Sequence, residues 1–137
     1  RYKILITKVK NLLNNNLKNK KITFLGVTFK AGTDDMRESP ALNIIPLLKK
    51  SGARINYYEP TGPKLEFTSK NIKFYRNVKN ACKNSDLIII HSEWNEFKQL
   101  NFKKIVKKRN FKVFDMRNLY EPSEMKKSKI NYFGIGR

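Results

Sequence analysis

Tyr2, Leu5, Ile6, Val9, Leu12 and Leu13 recur three or four positions apart, which predicts an amphipathic helix over residues 2–17 that frays at Asn14-Asn15-Asn16. The period then changes. Ile22-Thr23-Phe24-Leu25-Gly26-Val27 is β-branched, aromatic and nearly all apolar, as a strand covered on both faces should be. A polar loop from Thr28 to Ser39 follows. Ser39-Pro40 predicts a helix start, with a hydroxyl cap and then proline at the first helical position. Ala41, Ile44, Ile45 and Leu48 form that helix's buried stripe, Pro46 predicts a kink because it has no donor for the Leu42 carbonyl, and Ser51-Gly52 ends it. Further strands are predicted at 53–58, 72–75, 87–90, around Val113-Phe114 and at 131–135, with helical segments at 78–83, 97–108 and 121–127. Strands and helices alternate throughout, and no repeat interrupts them. The expected architecture is one doubly wound α/β domain with a mainly parallel sheet of about six strands and a leading helix.

A chain of 137 residues with 39% hydrophobic and 30% charged positions suits one soluble globular domain, not a disordered tail. No apolar run approaches the roughly 20 residues of a membrane span. The chain begins at Arg1 with no initiator methionine and no signal-peptide pattern, so it is expected to be a piece of something longer. Cys82, the single cysteine, excludes an intramolecular disulfide and a CxxC metal site, and fits a reducing cytoplasmic setting. Net charge is +19, from 30 basic and 11 acidic residues, which first suggests nucleic acid or an anionic membrane. Yet 23 of the basic residues are lysine, only 7 are arginine, and asparagine numbers 16. Such a mixture follows from A/T-rich codons. Arginine, which reads guanine and clamps phosphates with two parallel bonds, is scarce, and no nucleic-acid motif accompanies the charge.

Open parallel sheets bind ligands beyond the carboxyl ends of their strands. Thr28-Phe29-Lys30, His91-Ser92-Glu93-Trp94 and Asp115-Met116-Arg117 are expected there. Lys30, Arg37 and Arg117 would then bring three cations to one rim, which suits a phosphate-bearing ligand; equally, loop cations are often simply solvated. The loop Gly26-Val27-Thr28-Phe29-Lys30-Ala31-Gly32 is neither GxGxxG nor a P-loop, so an independent NAD or ATP site is not expected, and Gly134-Ile135-Gly136 lacks a following helix. Asp34-Asp35 is read as local pairing to Arg37, not a metal site. His91, the only histidine, is read as a hydrogen-bonded structural residue, and Cys82 as a buried inert thiol. Trp94 and Phe97 are expected to pack under the loop, with Trp94 as the alternative wall of a ligand pocket. No nucleophile, base and orienter assemble from these residues, so the chain reads as a binding half.

The run Phe24-Leu25-Gly26-Val27-Thr28-Phe29-Lys30-Ala31-Gly32-Thr33-Asp34-Asp35-Met36-Arg37-Glu38-Ser39-Pro40 resembles the signature of the UDP-glucose/GDP-mannose dehydrogenase family. Glu93-Trp94-Asn95-Glu96-Phe97, Asp115-Met116-Arg117-Asn118-Leu119-Tyr120-Glu121-Pro122 and Gly134-Ile135-Gly136-Arg137 resemble the branch that oxidises UDP-glucose. In that family an N-terminal Rossmann domain holds NAD, a long central helix builds a homodimer, and a Rossmann-like C-terminal domain helps hold the UDP-sugar. The resemblance implies that residues 1–18 end the linking helix and that 19–137 form the C-terminal UDP-sugar-binding domain. It implies a cytoplasmic enzyme that converts UDP-glucose to UDP-glucuronate for polysaccharide synthesis while two NAD are reduced. Phe29, Lys30 and Arg117 match substrate-binding positions, and Arg37 matches an arginine that reaches NAD. The catalytic cysteine and its lysine and aspartate helpers match nothing here, so no catalytic residue and no metal ligand is expected in this chain, which alone should be inactive. Two departures stand out: His91 replaces a more usual threonine, and the basic excess exceeds the family's needs. The alternatives are a sister enzyme acting on UDP-N-acetylmannosamine or GDP-mannose, or a stand-alone basic module binding nucleotides or nucleic acid.

Overall fold

A computed structural model describes residues 2–136. In chain order the elements are helix α1 (Tyr2–Leu12), strand β1 (Lys21–Leu25), α2 (Ala41–Lys50), β2 (Arg54–Tyr58), β3 (Ile72–Phe74), α3 (Val78–Cys82), β4 (Leu87–Ile90), α4 (Phe102–Ile105), β5 (Lys112–Asp115), α5 (Pro122–Lys127) and β6 (Asn131–Gly134). The six strands form one sheet in the order β3-β2-β1-β4-β5-β6, and every neighbouring pair is parallel. β1 pairs with β2 on one side and β4 on the other, so the chain reverses its direction of travel across the sheet there. Crevices for ligands open at such a point, at the carboxyl ends of the strands.

Alternation along each strand divides the core into two layers. Ile22, Phe24, Ile55, Tyr57, Leu87, Ile89 and Phe114 face α1 and α2, meeting Ile6, Val9, Leu12, Ile44, Ile45 and Leu48. Leu25, Ile88, Ile90 and Val113 face the other way, onto Cys82, Phe97, Phe102, Val106 and Met125. Thr23 points into that second layer. Its buried hydroxyl donates to the Ala81 carbonyl (3.0 Å), which satisfies the one polar side chain in the centre of β1.

Four local expectations change. α1 stops at Leu12 because Asn14 and Asn15 take left-handed φ values of 56° and 58°, although Leu13 stays in the core as its spacing implied, and Leu17 joins it there. The Lys112 ammonium closes that helix end, donating to the Leu12 carbonyl at 2.6 Å. Instead of a helix over 97–108 there is a 3₁₀ turn at Asn95–Phe97 and then the short α4, whose first turn is capped by the Asn101 side chain accepting from the Lys104 amide. β1 ends at Leu25, since Gly26 (φ 79°) turns the chain out of the sheet. Finally, α2 runs without a break through Pro46, whose missing donor lies on the exposed side of the helix. No helix among the described residues is long and apolar enough to cross a membrane.

Ile45 is fully buried in the layer shared by α1, α2 and the sheet. Ile45→Ala is expected to destabilise the fold by about 2–5 kcal/mol, which a lowered urea midpoint at unchanged m-value would register.

Candidate functional site

The carboxyl edge of the sheet is built around the connection from β1 to α2, residues 26–40. Gly26 begins it. A side chain there would put Cβ 2.6 Å from the Ser92 Cβ and Oγ atoms, so both its left-handed φ and its close approach require glycine. The turn aims the Val27 and Thr28 amides inward, away from any strand. Glu59, just past the end of β2 and 1% exposed, meets them: its Oε1 accepts from Val27 (2.8 Å) and Thr28 (3.3 Å). Its Oε2 accepts from the Thr61 amide (3.0 Å) and hydroxyl (2.7 Å). A buried carboxylate is tolerable here because four donors surround it.

Three more side chains fasten the same connection. Ser39 Oγ donates to the Val27 carbonyl at 2.5 Å and closes its neck. Ser92 Oγ donates to the Thr28 carbonyl at 2.8 Å. Arg117 donates from Nε to the His91 carbonyl (3.1 Å) and from Nη2 to the Phe29 carbonyl, so one planar guanidinium ties the loops after β1, β4 and β5 together. Asp115, fully buried at the end of β5, orients Arg117: its Oδ1 accepts from the Arg117 amide, and its Oδ2 from the Tyr120 amide and Tyr132 hydroxyl.

His91 is 2% exposed, and its Nε2 accepts from the Ala41 amide (3.1 Å), the first of α2. An acceptor at Nε2 places the ring proton on Nδ1, which lies 3.2 Å from Ser92 Oγ. Burial, assisted by the Arg117 charge, pushes the imidazole's pKa down to about 3. The structural reading of His91 is thereby confirmed. So are two others. Asp35 holds Arg37 through two parallel bonds (Nε to Oδ1 3.0 Å, Nη2 to Oδ2 2.9 Å), and that partner keeps the carboxyl at about 2. Burial raises the Cys82 thiol to about 12, so it is protonated and inert at neutral pH. Trp94 packs against the second core layer with its indole N–H buried and without a hydrogen-bond partner.

The structure therefore brings Phe29, Lys30 and Arg117 together, with Phe29 and Lys30 exposed above the clamp that Arg117 makes. Arg37 sits further along the connection, exposed, beside a shallow groove lined by Met36, Leu42, Pro63 and Leu65. No group of three or more metal-ligating side chains occurs among the described residues. Sequence reasoning missed Glu59, Ser39 as a neck closure, and Ser92. Glu59-Pro60 reads locally as a strand stop, and only the pairing of β1 with β2 brings that carboxylate to the Gly26 turn.

A family model for the UDP-binding domain of UDP-glucose/GDP-mannose dehydrogenases matches residues 23–122, which span the whole of this edge. The chain belongs to that family. Among curated relatives, the UDP-glucose 6-dehydrogenase of Rickettsia prowazekii is 36% identical over 96% of this chain and 31% of its own length. That of Rhizobium meliloti is 38% identical over 89% of this chain and 28% of its own length. The chain thus spans about a third of the curated relatives it matches. Among solved structures, the NDP-N-acetyl-D-galactosaminuronic acid dehydrogenase of Methanosarcina mazei superposes with a TM-score of 0.80 at 25% identity, covering 99% of this chain and 28% of that one. The UDP-N-acetyl-mannosamine dehydrogenase Cap5O of Staphylococcus aureus gives 0.76 at 26% identity, covering 99% of this chain and 31% of its own. In this chain the family domain is a doubly wound fold whose first loop is clamped at the carboxyl edge.

The unfolded chain takes up a proton at His91 near the ordinary value of 6.5, whereas the folded chain does not until about 3. Stability contributed by the neutral ring is complete above pH 6.5 and is lost as pH falls. Between pH 6.5 and about 5, unfolding free energy is expected to drop with a limiting slope of about 1.4 kcal/mol per pH unit, and His91→Gln should flatten it in urea titrations.

Proposed function

We propose that this chain is the UDP-sugar-holding domain of a longer NAD-dependent dehydrogenase that oxidises UDP-glucose to UDP-glucuronate, with two NAD reduced per sugar. The observation that carries the reading is the clamped Gly26 turn. Glu59, Ser92 and Arg117 hold a loop whose exposed tip is Phe29-Lys30, in a family defined by UDP binding. Lys30 would set an ammonium against the diphosphate or sugar of the substrate, and Phe29 would shape the wall beside it. Arg117 would contribute to the substrate pocket through the carbonyls it fixes and the charge it keeps near the rim.

NAD, when bound, accepts the hydride removed from the sugar. The chain's own crevice does not fit a dinucleotide pyrophosphate, because the Val27 and Thr28 amides bond Glu59 and the first amide of α2 bonds His91. Arg37 does fit as a contact from outside: it is exposed and paired only with the neighbouring Asp35, and from there it would meet a cofactor held by the preceding NAD domain. The nucleophile would also come from that region, since Cys82 is buried and protonated. The proposed setting is a cytoplasmic homodimer supplying UDP-glucuronate for polysaccharide synthesis, with residues 1–18 as the end of the linking helix and 19–137 as the binding domain.

A sister reaction on another nucleotide sugar is the second reading, favoured by the likeness to the Methanosarcina and Staphylococcus enzymes. The higher identity to the Rickettsia and Rhizobium proteins favours UDP-glucose. NADH formation by the full-length protein, compared on UDP-glucose and UDP-N-acetylmannosamine, distinguishes the two. In that protein Lys30→Ala is expected to raise KM for the UDP-sugar about tenfold or more, the loss of one charge-assisted contact. An unchanged kcat/KM removes Lys30 from the role.

A further inference from the structure

Phe29, Lys30 and Arg37 all lie on the connection between β1 and α2, so both proposed ligand contacts depend on how that connection is anchored. Its neck is closed once from within, by Ser39 on the Val27 carbonyl. A second tie comes from another loop altogether and meets the connection one residue inside that neck, at Thr28, and two residues beyond it, at Ala41. On the β1 side Ser92 Oγ donates to the Thr28 carbonyl at 2.8 Å, two residues before Lys30. On the α2 side His91 Nε2 accepts from the Ala41 amide at 3.1 Å, four residues after Arg37. The two side chains meet at 3.2 Å, with Nδ1–H donating to Ser92 Oγ and the Ser92 hydroxyl donating onward to Thr28.

We propose that His91 and Ser92 form a positioning pair that couples the substrate end of this connection, at Lys30, to its cofactor end, at Arg37. The proposal rests on the functional reading above and assigns a role to two residues outside the ligand contacts themselves.

Three features favour coupling over two unrelated contacts. The hydrogen bonds run in series through one imidazole, so losing either side chain breaks the same chain. Both anchor points are rigid: Ala41 is fully buried at the start of a helix locked by Ile44, Ile45 and Leu48, and Ser92 is packed against Gly26 with no room for even a methyl group. The backbone at His91 is also held, because Arg117 Nε donates to its carbonyl while Nη2 of the same guanidinium donates to Phe29. A displacement at Ala41 therefore reaches Thr28 and Phe29 through His91 by both side chain and backbone. Length matters as well. Nε2 lies three bonds beyond Cβ, whereas a threonine hydroxyl lies one, so His91→Thr removes the tie from this loop and leaves the Ala41 amide only its longer contact with Ser39 Oγ at 3.3 Å.

The test uses the full-length enzyme, with KM measured separately for the UDP-sugar and for NAD, well below each variant's Tm. Ser92→Ala and His91→Thr should each raise both KM values about fivefold, the effect of one lost buried hydrogen bond, with kcat falling less. His91→Gln, whose amide oxygen reaches the Nε2 position, should restore much of the NAD KM. The double variant His91→Thr/Ser92→Ala should be little worse than either single one, because the pair acts as a unit. Variants that lower Tm and leave both KM values at wild type overturn the pair as a positioning device. Effects that add, with Ser92→Ala confined to the sugar and His91→Thr confined to NAD, overturn the coupling. A wild-type protein that neither binds nor oxidises any UDP-sugar with NAD overturns the functional reading itself, and the pair's role with it.

Discussion

Loop amides at the carboxyl edge of a parallel sheet have left their strand and have no neighbour to bond. Buried without a partner, each would cost about 1–3 kcal/mol. In dinucleotide-binding domains a ligand's phosphates meet that need. Here the protein meets it internally, with the Glu59 carboxylate on Val27 and Thr28 and the His91 imidazole on Ala41. Once those amides are satisfied from within, the crevice cannot serve a pyrophosphate, and the surface proposed for recognition is the exposed tip of the loop at Phe29 and Lys30. Glycine at 26 follows from the same constraint: without it the turn cannot form, and Ser92 has no space to reach Thr28.

Most of the fold was legible because its determinants are local. β4, four consecutive aliphatic residues, and α2, with its Ala41–Ile44–Ile45–Leu48 stripe, declare their period within a few positions. Alternation of such elements implies a parallel sheet, and the strand order found is the one a doubly wound chain adopts. Errors arose where local signals compete. Apolar spacing at Leu13 and Leu17 continued after the backbone had left the helix, because those side chains reach the core from a turn; asparagine's tolerance of left-handed φ permits it. Phe97, Phe102 and Val106 are likewise core residues held by a 3₁₀ turn, a single helical turn and a loop end. Burial was readable there, and conformation was not.

The site was legible by a different route. Lys30, Arg37 and Arg117 were expected at one rim from the topology alone, and the family motif marks the same positions. The structure draws Arg117 to the Phe29 loop and leaves Arg37 apart, on Asp35. What could not be read were the residues that act at long sequence separation: Glu59 on Val27, Ser92 on Thr28, His91 on Ala41. The loud feature of the composition lies elsewhere. Lys18, Lys20, Arg54, Lys107, Arg109 and Lys112 gather around the opposite, amino ends of the strands, where Asp86 already accepts from the Lys21 amide and pairs with Lys108 at 2.8 Å. These cations lie away from the rim proposed to carry the chemistry.

Arg117 illustrates why a cation at a rim need not act chiefly by its charge. A lysine there could neutralise an anion equally well, but an ammonium is a point, and no rigid fork would span the His91 and Phe29 carbonyls. The guanidinium does so because Nε and Nη2 are coplanar and fixed relative to each other, and because the buried Asp115 accepts from the Arg117 amide and so sets the backbone from which the side chain departs. Two of its five N–H donors are engaged before any ligand arrives. Whatever anion meets Phe29 and Lys30 thus meets a loop whose shape has already been determined by residues from β2, β4 and β5. The entropy of ordering that loop has been met in folding rather than in binding.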